Sequence, residues 1–325
     1  MTAAWLAATL CVGVMGFAIQ RGATCTVAAV DEVLTHGRAD RLVAMLEASF
    51  WVAGGLALAQ LAHLAGSMPA GYEAGAWAVI GGALLGLGAW VNRACVFGAV
   101  ARLGSGEWAY AATPLGFYVG CLSVIPLFSR PMANRLPDAP PPSQGPTFFA
   151  LFFVAYVLWR IRPGLIALRR PDRMGRLRQK IWAPHAATVV IGVSFVITLL
   201  LAGSWAYTDV LTALARVMGG RPVTEVVTLL PVLLLLALYV GALIGGLSAG
   251  RWQSARVTAP QVLRCFTGGV VMGWGSLLIP GSNDGLILIG IPLLRLYAWQ
   301  AFGSMFLAIA AAMQIGRVRW FTRPQ

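Results

Sequence analysis

The chain is poor in charge and poorest in acid. Of 325 residues only 11% are charged, and 11 Asp and Glu stand against 24 Lys and Arg. A soluble protein of this length needs a wetter surface, so a soluble helical protein is set aside. Cysteine is scarce as well. The five cysteines form no CxxC pair and lie in or beside apolar segments, which argues against a disulfide framework. His36, His63 and His185 are scattered without metal-ligand spacing, and no metal or cofactor is expected. There is no Walker motif, no G-x-S-x-G and no paired-carboxylate spacing. These gaps leave no sequence basis for nucleotide hydrolysis or serine esterase chemistry. The opening segment TAAWLAATLCVGVMGFAIQ has no basic region before it and no small-residue cleavage site. It is expected to stay as a first span.

Apolar sequence is what the chain has in excess. It is 58% hydrophobic, with mean hydropathy +0.76. Runs of about 20 apolar residues are long enough to cross a bilayer. Nine spans are expected, near 3–20, 43–65, 76–91, 110–128, 147–162, 185–202, 226–248, 262–279 and 298–315. The positive charge gathers between them. The stretch 160–180 holds eight basic residues and Asp172, while 67–75 holds no Lys or Arg. The positive-inside rule then places 160–180 and the C-terminus in the cytoplasm and the N-terminus outside. Anionic lipid of the bilayer is the nearer partner for these arginines, and nucleic acid is not expected to be one.

A glycine pattern recurs within the apolar sequence. Residues 81–98 read GGALLGLGAWVNRACVFG, and 268–285 read GGVVMGWGSLLIPGSNDG. Gly81, Gly82, Gly86, Gly88 and Gly98 recur as Gly268, Gly269, Gly273, Gly275 and Gly285, with Cys95 opposite Ser282. A weaker copy, GFAIQRGATCTVAAV, sets Gly16 before Cys25 at the interval that separates Gly86 from Cys95, with Gly22 between. Together with 185–202 and AGSWAYTDVLTALARV these make four units of span, elbow and short helix. The short helices are expected at 26–36, 96–103, 208–218 and 285–294. The charge pattern sets the two pairs in opposite orientation, as in transporters built from inverted repeats. The chain divides accordingly: 1–128 as a first half, 129–184 as a linker with one span and the basic loop, 185–325 as an inverted second half. Whether the short helices are re-entrant or finish broken spans is open.

The elbows carry the candidate site. Irregular backbone at membrane depth is tolerated where it is buried in protein or lines a wet cavity. Cys25 and Cys95 share a register and offer thiols to a soft atom, against the plainer reading of packing cysteines. Cys11, Cys121 and Cys265 read as filler. In IPGSNDG, Ser282 offers a hydroxyl, Asn283 an amide and Asp284 a membrane-depth acid, against the plainer reading of a helix cap. Arg93 either offsets an anion's charge or snorkels to the surface. Gly22, Gly86, Gly88, Gly98, Gly273, Gly275, Gly281 and Gly285 would let the backbones approach.

In these elbows the chain resembles the YeeE/YedE family of membrane proteins, also described as sulfur transport or thiosulfate transporter proteins. GLGAWVNRACVFGAVARLGSGEW carries the resemblance, with GFAIQRGATCTVAAVDEVL and GWGSLLIPGSNDGLILIGIP in support. The resemblance implies an all-helical, hourglass-shaped inner-membrane transporter of bacteria, in which elbow cysteines pass thiosulfate by S–H···S hydrogen bonds. Those cysteines match Cys25 and Cys95. At Ser282 the family commonly has cysteine, so another sulfur anion or a selenium species also stays in view. A cytoplasmic sulfur-carrier protein is a candidate partner. The alternatives are a membrane thiol redox enzyme and a non-transporting partner of a sulfur-handling complex.

Overall fold

The computed structural model describes residues 3–64, 68–69, 71–124, 145–167, 182–220, 229–250, 252–279 and 281–321. Among them the fold is helical, with no strand element. The helices are α1 (Ala3–Gly22), α2 (Thr26–His36), α3 (Asp40–Leu61), α4 (Ala76–Asn92), α5 (Val96–Gly104) and α6 (Ala112–Val124). They continue as α7 (Gly145–Ala167), α8 (Pro184–Ala202), α9 (Tyr207–Met218), α10 (Leu229–Ser248), α11 (Ala259–Leu278), α12 (Asn283–Gly290, largely a π turn) and α13 (Leu296–Phe321). The expected linker 129–146 lies outside the described residues except for the first two residues of α7. Most of the basic loop 160–180 also lies outside them, and its first residues end α7.

Among the described residues six helical segments are long and apolar enough to span a bilayer, or seven if α11 and α12 form one bent span. That count is of the described residues, and the expected span 110–128 runs past them at Val124. The described part of α6 has 13 residues, about 20 Å of helix against a hydrocarbon core of about 30 Å. In α7 the apolar stretch is only Thr147–Arg160. The four short helices fall where the sequence places them, except that α12 starts two residues early and ends sooner. Outward-facing side chains such as Leu6, Leu10, Phe148 and Leu151 are apolar and exposed, as a lipid-facing surface requires.

Small residues set the packing. Helix α1 lies between α8 and α10, α3 packs on α8, α4 lies between α11 and α13, and α6 packs on α11. A Cβ at Gly88 would stand 2.7 Å from the Gly268 carbonyl oxygen, and one at Gly268 would stand 2.8 Å from that of Gly88. The same reciprocity joins Gly81 to the Gly275 oxygen (2.8 Å) and Gly275 to that of Gly81 (2.6 Å). Any side chain there would push α4 and α11 apart, so these glycines work as close-approach residues. Helix α7 is tied on through Glu47 of α3. The Glu47 carboxylate accepts from Tyr156 Oη (2.7 Å) and Arg160 Nε (3.3 Å) and pairs with His185 Nδ1 of α8. That partly buried acid therefore has a cationic partner in Arg160.

Candidate functional site

Four breaks in the helices build the site. At each, a residue of positive φ turns the chain and an extended residue opens the short helix. Ala23 (φ 46°) comes before Cys25, Arg93 (60°) before Cys95, Gly203 (83°) before Ala206, and Gly281 (134°) before Ser282. Ala23 and Arg93 hold a left-handed conformation that costs a non-glycine residue about 1 kcal/mol or more. The surrounding packing must hold it. None of the side chains of Cys25, Cys95 and Ser282 caps the helix it starts. At the third elbow the capping alternative bears on Asp284, whose Oδ1 accepts the Gly285 amide at 3.0 Å.

The breaks converge through short polar contacts. The Cys25 and Cys95 thiols lie against each other. The Thr26 amide donates to Cys95 Sγ at 3.2 Å, and the Val27 and Ala28 amides face Cys25. Asn283 Nδ2 donates to Thr26 Oγ1 at 3.4 Å, which links the Ser282 elbow to the thiol pair. Tyr207 Oη donates to the Val96 carbonyl at 3.0 Å, and Thr208 Oγ1 donates to Asp284 Oδ1 at 2.7 Å. All four short-helix starts are tied together in this way. Beside them, Asn92 donates to the Ala94 carbonyl (2.7 Å) and accepts from Thr113 Oγ1 (3.0 Å), which satisfies backbone exposed by the α4–α5 break.

One side of this knot opens to a cavity of about 820 Å³. Cys25 and Gly98 lie on its wall, with Arg41, Arg93, Arg102 and Arg264 against Asp31 and Glu107. Arg102 also bonds Glu107 at 3.1 Å. Arg93 is exposed and shapes the elbow through its left-handed backbone as well as charging the wall. Cys95 and Ser282 are fully buried, Asn283 is 1% exposed and Asp284 2%. Of the candidate path residues only Cys25 and Arg93 meet the cavity. The other four are enclosed behind it, and Ser282 Oγ has no hydrogen-bond partner.

The elbow glycines divide by role. Gly22 packs on Ala187, Gly86 on Met305, Gly88 on Gly268, Gly273 on Phe117, and Gly275 on Gly81. A Cβ at Gly98 would lie 2.5 Å from Cys25 Sγ. Gly281 supplies a positive φ. Gly285 departs from the expected close approach, because no atom lies within 4 Å of where its Cβ would stand. Cys121 sits against the Gly273 carbonyl (3.6 Å), on α11, while Cys11 is half-buried. Thr26, Tyr207 and Thr208 were not singled out from the sequence. Their signal was a hydroxyl in the first two positions of a short helix after a break.

Residues 21–311 match the family described as sulphur transport. The thiosulfate transporter TsuA of Escherichia coli (strain K12) is 26% identical over 97% of this chain and 95% of its own length. Both descriptions name transport rather than catalysis, and the apolar helices make this a multi-pass membrane protein. The family match runs from the end of α1 into α13 and takes in every elbow, so this chain belongs to the sulphur transport family.

Proposed function

We propose that the protein takes up a small sulfur-containing anion, thiosulfate or a close relative, across the bacterial inner membrane. The observation that carries this reading is Cys25 on the wall of an arginine-rich cavity, with Cys95 enclosed behind it. Four arginines against two acids leave the cavity wall positive, which concentrates an anion there. A thiol is a weak donor with a polarizable sulfur, matched to the soft terminal sulfur of thiosulfate.

In this reading the halves are inverted copies about the α4–α11 crossing. Gly81 and Gly88 are the sequence counterparts of Gly268 and Gly275, and each touches the other's counterpart. A two-fold contact has that reciprocity. The elbows form the waist of an hourglass. Arg41, Arg93, Arg102 and Arg264 all belong to segments that the charge rule sets inside, so the cavity is the cytoplasmic vestibule. The anion then meets Ser282 first, passes Cys95 and Cys25, and leaves into the vestibule. The vestibule has room for more than the anion, which suits hand-over to a cytoplasmic sulfur-carrier protein.

Purified protein in liposomes tests the reading with ³⁵S-thiosulfate. Saturable uptake, lost when Cys25 and Cys95 are both replaced by alanine, is the expected result. Uptake no greater than in empty liposomes, across thiosulfate, sulfite and sulfate, would end it. The orientation has its own check on a cysteine-free background: a cysteine replacing Arg173 should be labelled only from the cytoplasmic side.

A further inference from the structure

Two carboxylates among the described residues, partly buried Glu47 and buried Asp284, are treated differently. Glu47 has Arg160 and His185 as partners. Asp284 is 2% exposed, and among the described residues no Arg, Lys or His forms an ion pair with it. Its contacts are neutral donors. Oδ1 accepts from Thr208 Oγ1 (2.7 Å) and the Gly285 amide (3.0 Å), while Oδ2 has only the Thr208 amide at 3.4 Å. The titratable groups facing it are also neutral. Tyr207 comes from α9 and Tyr239 from α10, and Cys95, at the start of α5, bears on Tyr207. Helix α3 brings Ser49, whose hydroxyl donates to the Ile287 carbonyl (2.6 Å). On α13, Tyr297 is engaged with Tyr72, Asp209 and Arg295 rather than with Asp284.

A fixed, unpaired carboxylate beside an anion path is a contradiction in charge. Its burial is costly in itself, and a passing dianion adds repulsion in a medium that screens poorly. A proton removes both terms. We propose that Asp284 takes up and releases one proton for each anion moved, so that uptake is proton-coupled. The idea rests on the sulfur-anion reading above. The fully buried Ser282 hydroxyl, two residues away and without a partner, gives the anion a contact next to this acid. The proton arrives from the side the anion enters and adds to Oδ2, the oxygen with fewer donors. It leaves to the opposite side with the anion. No bond to sulfur forms or breaks, and a divalent anion crosses with one net negative charge.

The test uses the full chain in liposomes, with the membrane potential clamped by potassium and valinomycin. One pH unit, acid on the entry side, should raise ³⁵S-thiosulfate accumulation about tenfold, the ratio one proton can support. A protonophore should abolish the effect. In Asp284→Asn the ratio with and without the gradient should fall to about one, whatever the absolute rate. Thr208→Val should move the pH midpoint of uptake, and Thr208→Ser should restore it, so the test survives a poorly folding Asp284 variant. Coupling is overturned if wild-type exchange of thiosulfate ignores the pH gradient, or if Asp284→Asn keeps the full ratio. Failure of the underlying reading looks different: wild-type protein would then show no thiosulfate exchange at any pH.

Discussion

The Cys95 elbow and the Ser282 elbow match in register, yet their surroundings differ. Cys95 Sγ accepts the Thr26 amide and lies against Cys25. Gly98, three residues on, has the Cys25 sulfur where its own Cβ would be. Ser282 Oγ has no partner, and Gly285, three residues on, faces open space. The same glycine thus admits a thiol at one elbow and leaves room at the other. One elbow is already occupied by the protein's own sulfur, and the other is a vacant polar contact. On the proposed path, an anion passing between them would exchange hydroxyl and amide donors for thiols.

The largest expected effect breaks the glycine half of this comparison. Gly98→Ala drives a methyl group into Cys25 Sγ and should cost about 1–3 kcal/mol through overpacking. Transport should drop at least tenfold. Gly285→Ala meets nothing and, in right-handed helical backbone, should stabilise slightly. Thermal unfolding and uptake of the two variants, measured side by side, check the contrast. Equal behaviour would mean that Gly98 does not serve the thiol contact.

Next come the thiols. Cys25→Ala and Cys95→Ala should each remove about 1 kcal/mol of anion stabilisation per lost hydrogen bond. Uptake kinetics should register that as about a fivefold loss at normal membrane abundance. A variant that transports like wild type returns its cysteine to the packing class.

Ser282 sharpens the comparison, because stability and transport should move in opposite directions. Removing an unpartnered buried hydroxyl relieves a penalty of about 1 kcal/mol or more. Ser282→Ala should therefore melt higher while transporting less. Ser282→Cys should shift preference toward thiosulfate over sulfate, since a thiol suits a soft sulfur and a hydroxyl suits oxygen. A Ser282→Ala protein with unchanged uptake of every sulfur anion would make this elbow structural only.

The smallest effect lies at Arg93. It is one of four vestibule arginines and is exposed, so Arg93→Gln should lower the apparent affinity about threefold or less, more at low salt than at high. A salt-independent change would point instead to the strained backbone at this position.

The breaks were legible in the sequence because glycine and polar residues interrupt apolar runs at a fixed spacing. Thr26, Val96 and Tyr207 all fall within a residue of the expected short-helix starts. Span ends were less legible. Composition marks 110–128 and 147–162 as apolar but does not fix how far each helix runs, and the described parts are short. In the site, Cys25 and Cys95 were readable from their shared register. Their contact was not, since it depends on how the two elbows pack within the bundle. The Thr208–Asp284 contact joins residues 76 positions apart, and no local pattern encodes it. Gly285 misled for the same reason. Its register equals that of Gly98, but the neighbour that fills the space comes from another helix.

On the proposed path Cys25 is the thiol at which the anion leaves the buried stretch. Its reaction with N-ethylmaleimide is the most direct probe, in a variant with Cys11, Cys121 and Cys265 replaced by alanine. Cys25 reaches the cavity at 9% exposure, whereas Cys95 is fully buried, so labelling reports Cys25. Saturating thiosulfate should slow that labelling several-fold in vesicles exposing the vestibule, and equal sulfate should slow it less. Labelling at one rate with thiosulfate, with sulfate and with neither would contradict the account.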